Sequence, residues 1–115
     1  MGIFDFFRRS SDPDAIPNNV SAERAIELVK DGAILVDVRE KHEWKAGHAR
    51  EAIHIPLGSL SGSTGRIRKG KHVFVVCASG MRSKSGAAQL RAAGFPASSI
   101  KGGMAAWQHA GGSFV

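Results

Sequence analysis

Cysteine occurs once among 115 residues, so the chain can form no intramolecular disulfide and cannot build a cysteine-based zinc site by itself. The thiol at position 77 is therefore free, which suits a reducing compartment or a reactive role. No apolar run approaches the roughly 18 residues needed to cross a bilayer. The opening "MGIFDFFRRSS" lacks a signal-peptide h-region, and Phe6 stands where a myristoylation pattern wants Ser or Thr. These absences predict a cytoplasmic protein without a transmembrane segment. The five histidines, at 42, 48, 54, 72 and 109, show no ligand spacing, so no metal site is expected. There is no internal repeat and no dominant low-complexity tract.

Sixteen basic residues against ten acidic ones give a net charge of +6, dispersed apart from "RIRKGK" at 66–71. A nucleic-acid surface needs a stripe of Lys and Arg with interleaved aromatics, and none is present. Attraction of small anions needs less and fits better.

What is present is a sequence of one-domain length, 43% apolar. Residues 1–17, with "SSDPD" and Pro17 but no sustained periodicity, are expected to be a flexible tail ahead of a domain at 18–115. The competing reading is a short apolar anchor built from Ile3, Phe4, Phe6 and Phe7, for which four large apolar residues are a weak basis.

From Val20 onward the pattern is regular. Ser21 can cap a helix in which Ala22, Ala25, Ile26 and Val29 recur at helical spacing, and Gly32 closes it. "AILVDV" (33–38) reads as a strand buried on both faces. A short helix through "KHEWKAGH" and a brief strand at "AIHI" (52–55) follow, and one helical turn is possible in "SLSGSTGRIRKGK". "HVFVVC" (72–77) is a second strong strand, followed by a helix over 82–93 that Gly94 and Pro96 stop. A strand near "SSI" and a helix in "GMAAWQHA" finish the chain. Strands alternating with helices predict an α/β fold with a mostly parallel central sheet flanked by helices on both faces.

Reactive groups in such sheets collect where strands end and helices begin, and Cys77 stands at such a place. The residues after it, "ASGM", are small and flexible. A loop this short, bent toward a helix N-terminus, turns successive N–H groups inward and makes an anion nest. A free thiol with a pKa of about 8.5 needs about 2.7 kcal/mol of preference for the charged form to fall by about two units. Hydrogen bonds to a charged group supply about 1.5–3 kcal/mol each, so two or three inward amides suffice. The competing reading makes Cys77 one more small buried hydrophobe.

Three blocks together resemble the rhodanese family. "CASGMRS" (77–83) resembles its C-x-x-G-x-R-S active loop. "LVDVREKHEWKAGHAREAIHIP" (35–56) is similar to its second signature, and "IKGGMAAW" (100–107) to its C-terminal G-G-x-x-A-W segment. The resemblance runs from residue 20 to about 110, with Ala49 in place of the usual Ile and Glu51 in place of a frequent Gly. It implies a rhodanese-like sulfurtransferase that takes sulfane sulfur from thiosulfate or a similar small anionic donor. By the same resemblance Cys77 becomes a persulfide and passes the sulfur to cyanide or a thiol acceptor. The amides from Ala78, Ser79, Gly80, Met81, Arg82 and Ser83 would cradle the persulfide and the donor oxygens, and Arg82 would orient the loop and the anion. No metal or organic cofactor is implied. The alternative within the family is a persulfide carrier, or a partner-binding domain with little free-standing turnover, that exchanges sulfur with a protein donor or acceptor.

Related phosphatase domains place one more residue between nucleophile and arginine, and the four that separate Cys77 from Arg82 leave a nest too small for phosphate. By the same resemblance Asp37, Arg39 and Glu43 would form a structural tie between the sheet edge and the next helix rather than act as catalytic groups. His48 reads as a hydrogen-bonding turn residue. Trp44 and Trp107 read as packing residues, with Trp107 placed to help wall the pocket.

Overall fold

The computed structural model describes residues 15–115. The expected flexible tail at 1–17 lies almost wholly outside these residues. Within them, Ile16 packs on the core, and the Pro17 carbonyl accepts a hydrogen bond from the Ser98 hydroxyl.

Five strands form one parallel sheet: β1 (Asn19–Val20), β2 (Ile34–Asp37), β3 (Ile53–His54), β4 (Val73–Val76) and β5 (Ala97–Ile100). Their order across the sheet is β1-β5-β4-β2-β3. All residues of β2, β4 and β5 are buried, which is why the first two read as continuous apolar runs. Alternate side chains point to opposite faces. Val36, Val38, Val73, Val75 and Cys77 pack on one face with Leu60, Ile67, Ala87, Leu90 and Phe95. Leu35, Phe74, Val76 and Ile100 pack on the other with Ala25, Ile26, Val29, Met104 and Trp107.

The helices therefore cover both faces. Helix α1 (Ala22–Lys30) carries its four predicted apolar positions, Ala22, Ala25, Ile26 and Val29, buried against the sheet, and the Ser21 hydroxyl caps it by accepting from Arg24 N–H. Helix α2 (Lys41–Lys45) follows β2, and α3 (Met81–Ala92) follows β4 on the opposite face from α1. Helix α4 (Gly103–His109) returns beside α1 and buries Met104 and Trp107. Among the described residues no helix is long and apolar enough to cross a membrane.

Three details differ from the sequence reading. The strand of "HVFVVC" stops at Val76, so Cys77 is the first residue beyond it, and α3 begins at Met81, one residue earlier than expected. The stretch after β3 forms two short 3₁₀ turns, Leu57–Ser59 and Thr64–Arg66, instead of one helical turn. Strand β1 was not anticipated: two residues are too short to show a period, and pairing with β5 alone defines it.

Candidate active site

The strand β4 runs out beneath a loop that doubles back over the next side chain, Cys77. Gly80 makes this possible with φ +101°, a conformation that side chains rarely adopt, and a Cβ there would come within 3.2 Å of Gly102 N. The turn aims two backbone donors at one atom. Gly80 N–H lies 3.0 Å and Ser83 N–H 3.3 Å from Cys77 Sγ. The Ser83 hydroxyl is 3.4 Å from the same sulfur. Behind them stands the N-terminus of α3, a helix of 12 residues. On the far side, Met104 N–H donates to the Cys77 carbonyl at 2.8 Å and ties the loop to the start of α4.

Cys77 and Ser83 are both fully buried. Burial alone pushes the thiol up, because it strips water from the charged form. The Ser83 hydroxyl and the amides of Ser83, Gly80 and Ser79 together outweigh it, so the thiol titrates below its ordinary value. The physical outcome is a sulfur held by donors and ready to carry charge.

The remaining loop residues divide. Ala78 and Ser79 are exposed, and Met81 turns its side chain outward, 71% exposed. Arg82 gives its hydrogen bonds to a carboxylate, while its charge attracts that of Cys77. Its two terminal nitrogens form a fork with Glu43, at 2.8 and 2.9 Å, binding the first turn of α3 to α2. Glu43 also accepts Glu40 N–H at 2.9 Å, and the Arg82 guanidinium, assisted by that amide and opposed by burial, holds its carboxyl at about 2. A second fork, Arg39 on Asp37, is buried at the end of β2, with Arg39 also donating to the Gly47 carbonyl at 2.8 Å. Both pairs fasten the turns that surround the loop.

His48 and Trp44 form a stacked pair with centroids 3.6 Å apart, and His48 Nδ1 bonds the Trp44 carbonyl at 2.9 Å. Trp107 lies in the core, its Nε1–H donating to the Ser113 carbonyl at 2.8 Å, and takes no part in the walls of the nearby cleft. That cleft, about 230 Å³, opens on the outer side of Ser79, Gly80 and Met81, where Lys84 and Lys101 contribute positive charge.

Two contributors escaped the sequence reading. Ser99 on β5 places its hydroxyl 2.7 Å from that of Ser83. Gly103 has φ +62°, and a Cβ there would stand 2.5 Å from the Cys77 carbonyl oxygen. The pair "GG" was visible in the sequence, but the backbone it must clear was not.

An α/β sheet with a strand-end cysteine under converging amides suits a protein that carries negative charge on that sulfur, and comparison with known proteins gives its family. The profile of the rhodanese-like domain family matches residues 21–110. The chain belongs to that family. It is 36% identical over 74 residues to the putative sulfurtransferase YtwF of Bacillus subtilis, covering 64% of this chain and 72% of that one. It is 32% identical over 90 residues to the thiosulfate sulfurtransferase GlpE of Pseudomonas savastanoi pv. phaseolicola, covering 77% and 85%. A rhodanese-related protein from Thermoplasma volcanium superposes with a TM-score of 0.78 at 27% identity, covering 86% of this chain and 98% of its own.

Proposed function

We propose that this protein is a sulfurtransferase that carries sulfane sulfur on Cys77. The family and the sulfurtransferases it resembles support sulfur transfer in general. The observation that carries the assignment to Cys77 is the convergence of Gly80 N–H and Ser83 N–H on its sulfur. The donor is thiosulfate or a similar small anion, and the acceptor is cyanide or a thiol. In the first half-reaction the Cys77 thiolate attacks the outer sulfur of thiosulfate, the S–S bond of the donor breaks, and its electron pair leaves with sulfite. In the second, the acceptor attacks the outer sulfur of the persulfide, and the pair of the breaking S–S bond returns to Cys77 Sγ. No net oxidation occurs in either step. Sγ carries the charge as the attacking thiolate of the first step and regains it as the leaving thiolate of the second, and the fixed amide dipoles stabilise that thiolate without reorganising. A free reactive thiol of this kind suits the cytoplasm.

An atom without exposed surface cannot meet a donor, so loading includes an opening of loop 78–82 or a rotation of the Cys77 side chain. This burial favours a second reading, in which a protein donor or acceptor opens the loop and the domain is a persulfide carrier. One experiment separates the two. The protein is treated with thiosulfate, its intact mass is measured, and thiocyanate is followed after cyanide addition. An enzyme shows one added sulfur and steady turnover; a carrier shows the added sulfur with slow turnover. Cys77→Ser abolishes both signals, and retention of either by that variant refutes the assignment.

A further inference from the structure

The geometry points to Ser99, on β5, as a positioning residue for the Cys77 thiolate that acts through the Ser83 hydroxyl. Three atoms form a line of contacts: Ser99 Oγ to Ser83 Oγ at 2.7 Å, and Ser83 Oγ to Cys77 Sγ at 3.4 Å. Both serines are buried, at 1% and 0% exposure, so water does not compete for their protons. Each hydroxyl has one proton to place. Among the described residues the Ser99 hydroxyl has no partner other than Ser83.

That constraint sets the direction of the line. If Ser99 donates to Ser83, then Ser83 donates to the sulfur, both protons are paired, and the chain ends on an acceptor. If the direction is reversed, the sulfur must donate, Ser83 donates to Ser99, and the Ser99 proton is left buried without an acceptor. The first arrangement wants a thiolate at its end and the second a thiol. Ser99 thus selects the charged form from two bonds away, and each donor polarises the next. Without Ser99 the Ser83 hydroxyl is released, and a serine in a first helical turn can turn its proton to a carbonyl three or four residues back.

The charged groups around the sulfur are the same with and without Ser99. Arg82 on α3 attracts the Cys77 charge while paired with Glu43 of α2, and Asp37 at the end of β2 is matched by Arg39. Against the loop, α4 presents Gly103 and Met104, which carry no charge. The inference rests on Cys77 being the sulfur-carrying residue, but its test needs no sulfur donor, so the two can fail separately.

The chain has one cysteine and no tyrosine, so its ultraviolet titration near the thiolate band reports Cys77 alone. Ser99→Ala is expected to raise the apparent thiol pKa by about one unit. The matched control is Ser98→Ala, which removes an equally buried hydroxyl of the same strand that bonds His72 and the Pro17 carbonyl; it leaves the titration unchanged. Sulfur loading gives an independent signature. Below both pKa values Ser99→Ala has tenfold less thiolate, partly offset by a gain of about threefold in nucleophilicity, and loads about threefold more slowly. Above both it loads about threefold faster, so the two pH profiles cross, while delivery of sulfur to cyanide is slower because Cys77 is a poorer leaving group. A purely structural loss would lower both steps at every pH. A titration curve that superposes on wild type, or an equal shift in Ser98→Ala, overturns the inference. Should Ser99→Ala not fold, the wild-type protein decides: proton NMR above the thiol pKa is expected to place the Ser99 hydroxyl proton toward Ser83, and any other placement refutes the relay.

Discussion

Replacing Gly103 by Ala tests whether the loop geometry, and not merely the presence of a cysteine, carries the activity. At φ +62° an alanine is strained by about 1–2 kcal/mol. Its Cβ would also stand 2.5 Å from the Cys77 carbonyl oxygen and closer still to that of Ala78. Both obstacles are backbone atoms, so no rotamer change relieves them. The loop must retreat by about 1 Å, which breaks the Met104 N–H bond to Cys77 and costs about 1 kcal/mol more. The total is about 2–3 kcal/mol of stability. A displacement of this size at the reacting atom lowers sulfur loading by about a hundredfold. Gly111 supplies the control, since its φ of +92° strains an alanine equally but nothing lies within 4 Å of the new Cβ. Gly111→Ala should lose about 1–2 kcal/mol in urea denaturation and keep wild-type loading. The assay is persulfide formation followed by intact mass at a temperature where both variants are folded. Equal loading rates in Gly103→Ala and Gly111→Ala would refute the claim that backbone contact with α4 positions Cys77.

The Glu43–Arg82 fork makes a pH-dependent contribution. A carboxyl depressed from 4.5 to about 2 stabilises the fold fully above its ordinary value and loses that contribution as pH falls from 4.5 toward 2. The pair is partly exposed, so about 1 kcal/mol is expected after solvent screening, and Glu43→Gln should flatten the denaturation midpoint across that interval. The Cys77 thiol, also depressed, makes the protein more stable as pH rises from the folded pKa to the ordinary thiol value of about 8.5. Thermal melts of Cys77→Ser should lack that rise, and a persisting slope would mean that another group is titrating.

Much of this fold could be read because burial imposes a period. The four apolar positions of α1 face the core, and the strands of "AILVDV" and "HVFVVC" are almost continuously apolar because helices cover both faces of the sheet. The position of Cys77 at a strand end followed from the same pattern. What could not be read is pairing across long separations. Arg82 and Glu43 lie 39 residues apart, and neither position announces the other. Ile67 shows the same limit, because its neighbours in "RIRKGK" are charged while the isoleucine itself enters the core at 3% exposure.

The strand "ASSI" shows why polar core positions are the hardest to interpret. Ser98 and Ser99 are as buried as the valines of β4, yet nothing in a hydrophobic pattern asks for them. Adjacent residues of a strand face opposite sides, so the two hydroxyls serve different partners. Ser98 bonds His72 and the Pro17 carbonyl, fastening the chain that leads into β1. Ser99 meets Ser83, whose hydroxyl in turn meets the sulfur. An apolar residue at 99 would suit the sheet equally well but would leave Ser83 without the donor that directs its proton. The polarity of this strand is therefore explained by what lies beyond its ends, one hydroxyl serving the fold and the other the chemistry at Cys77.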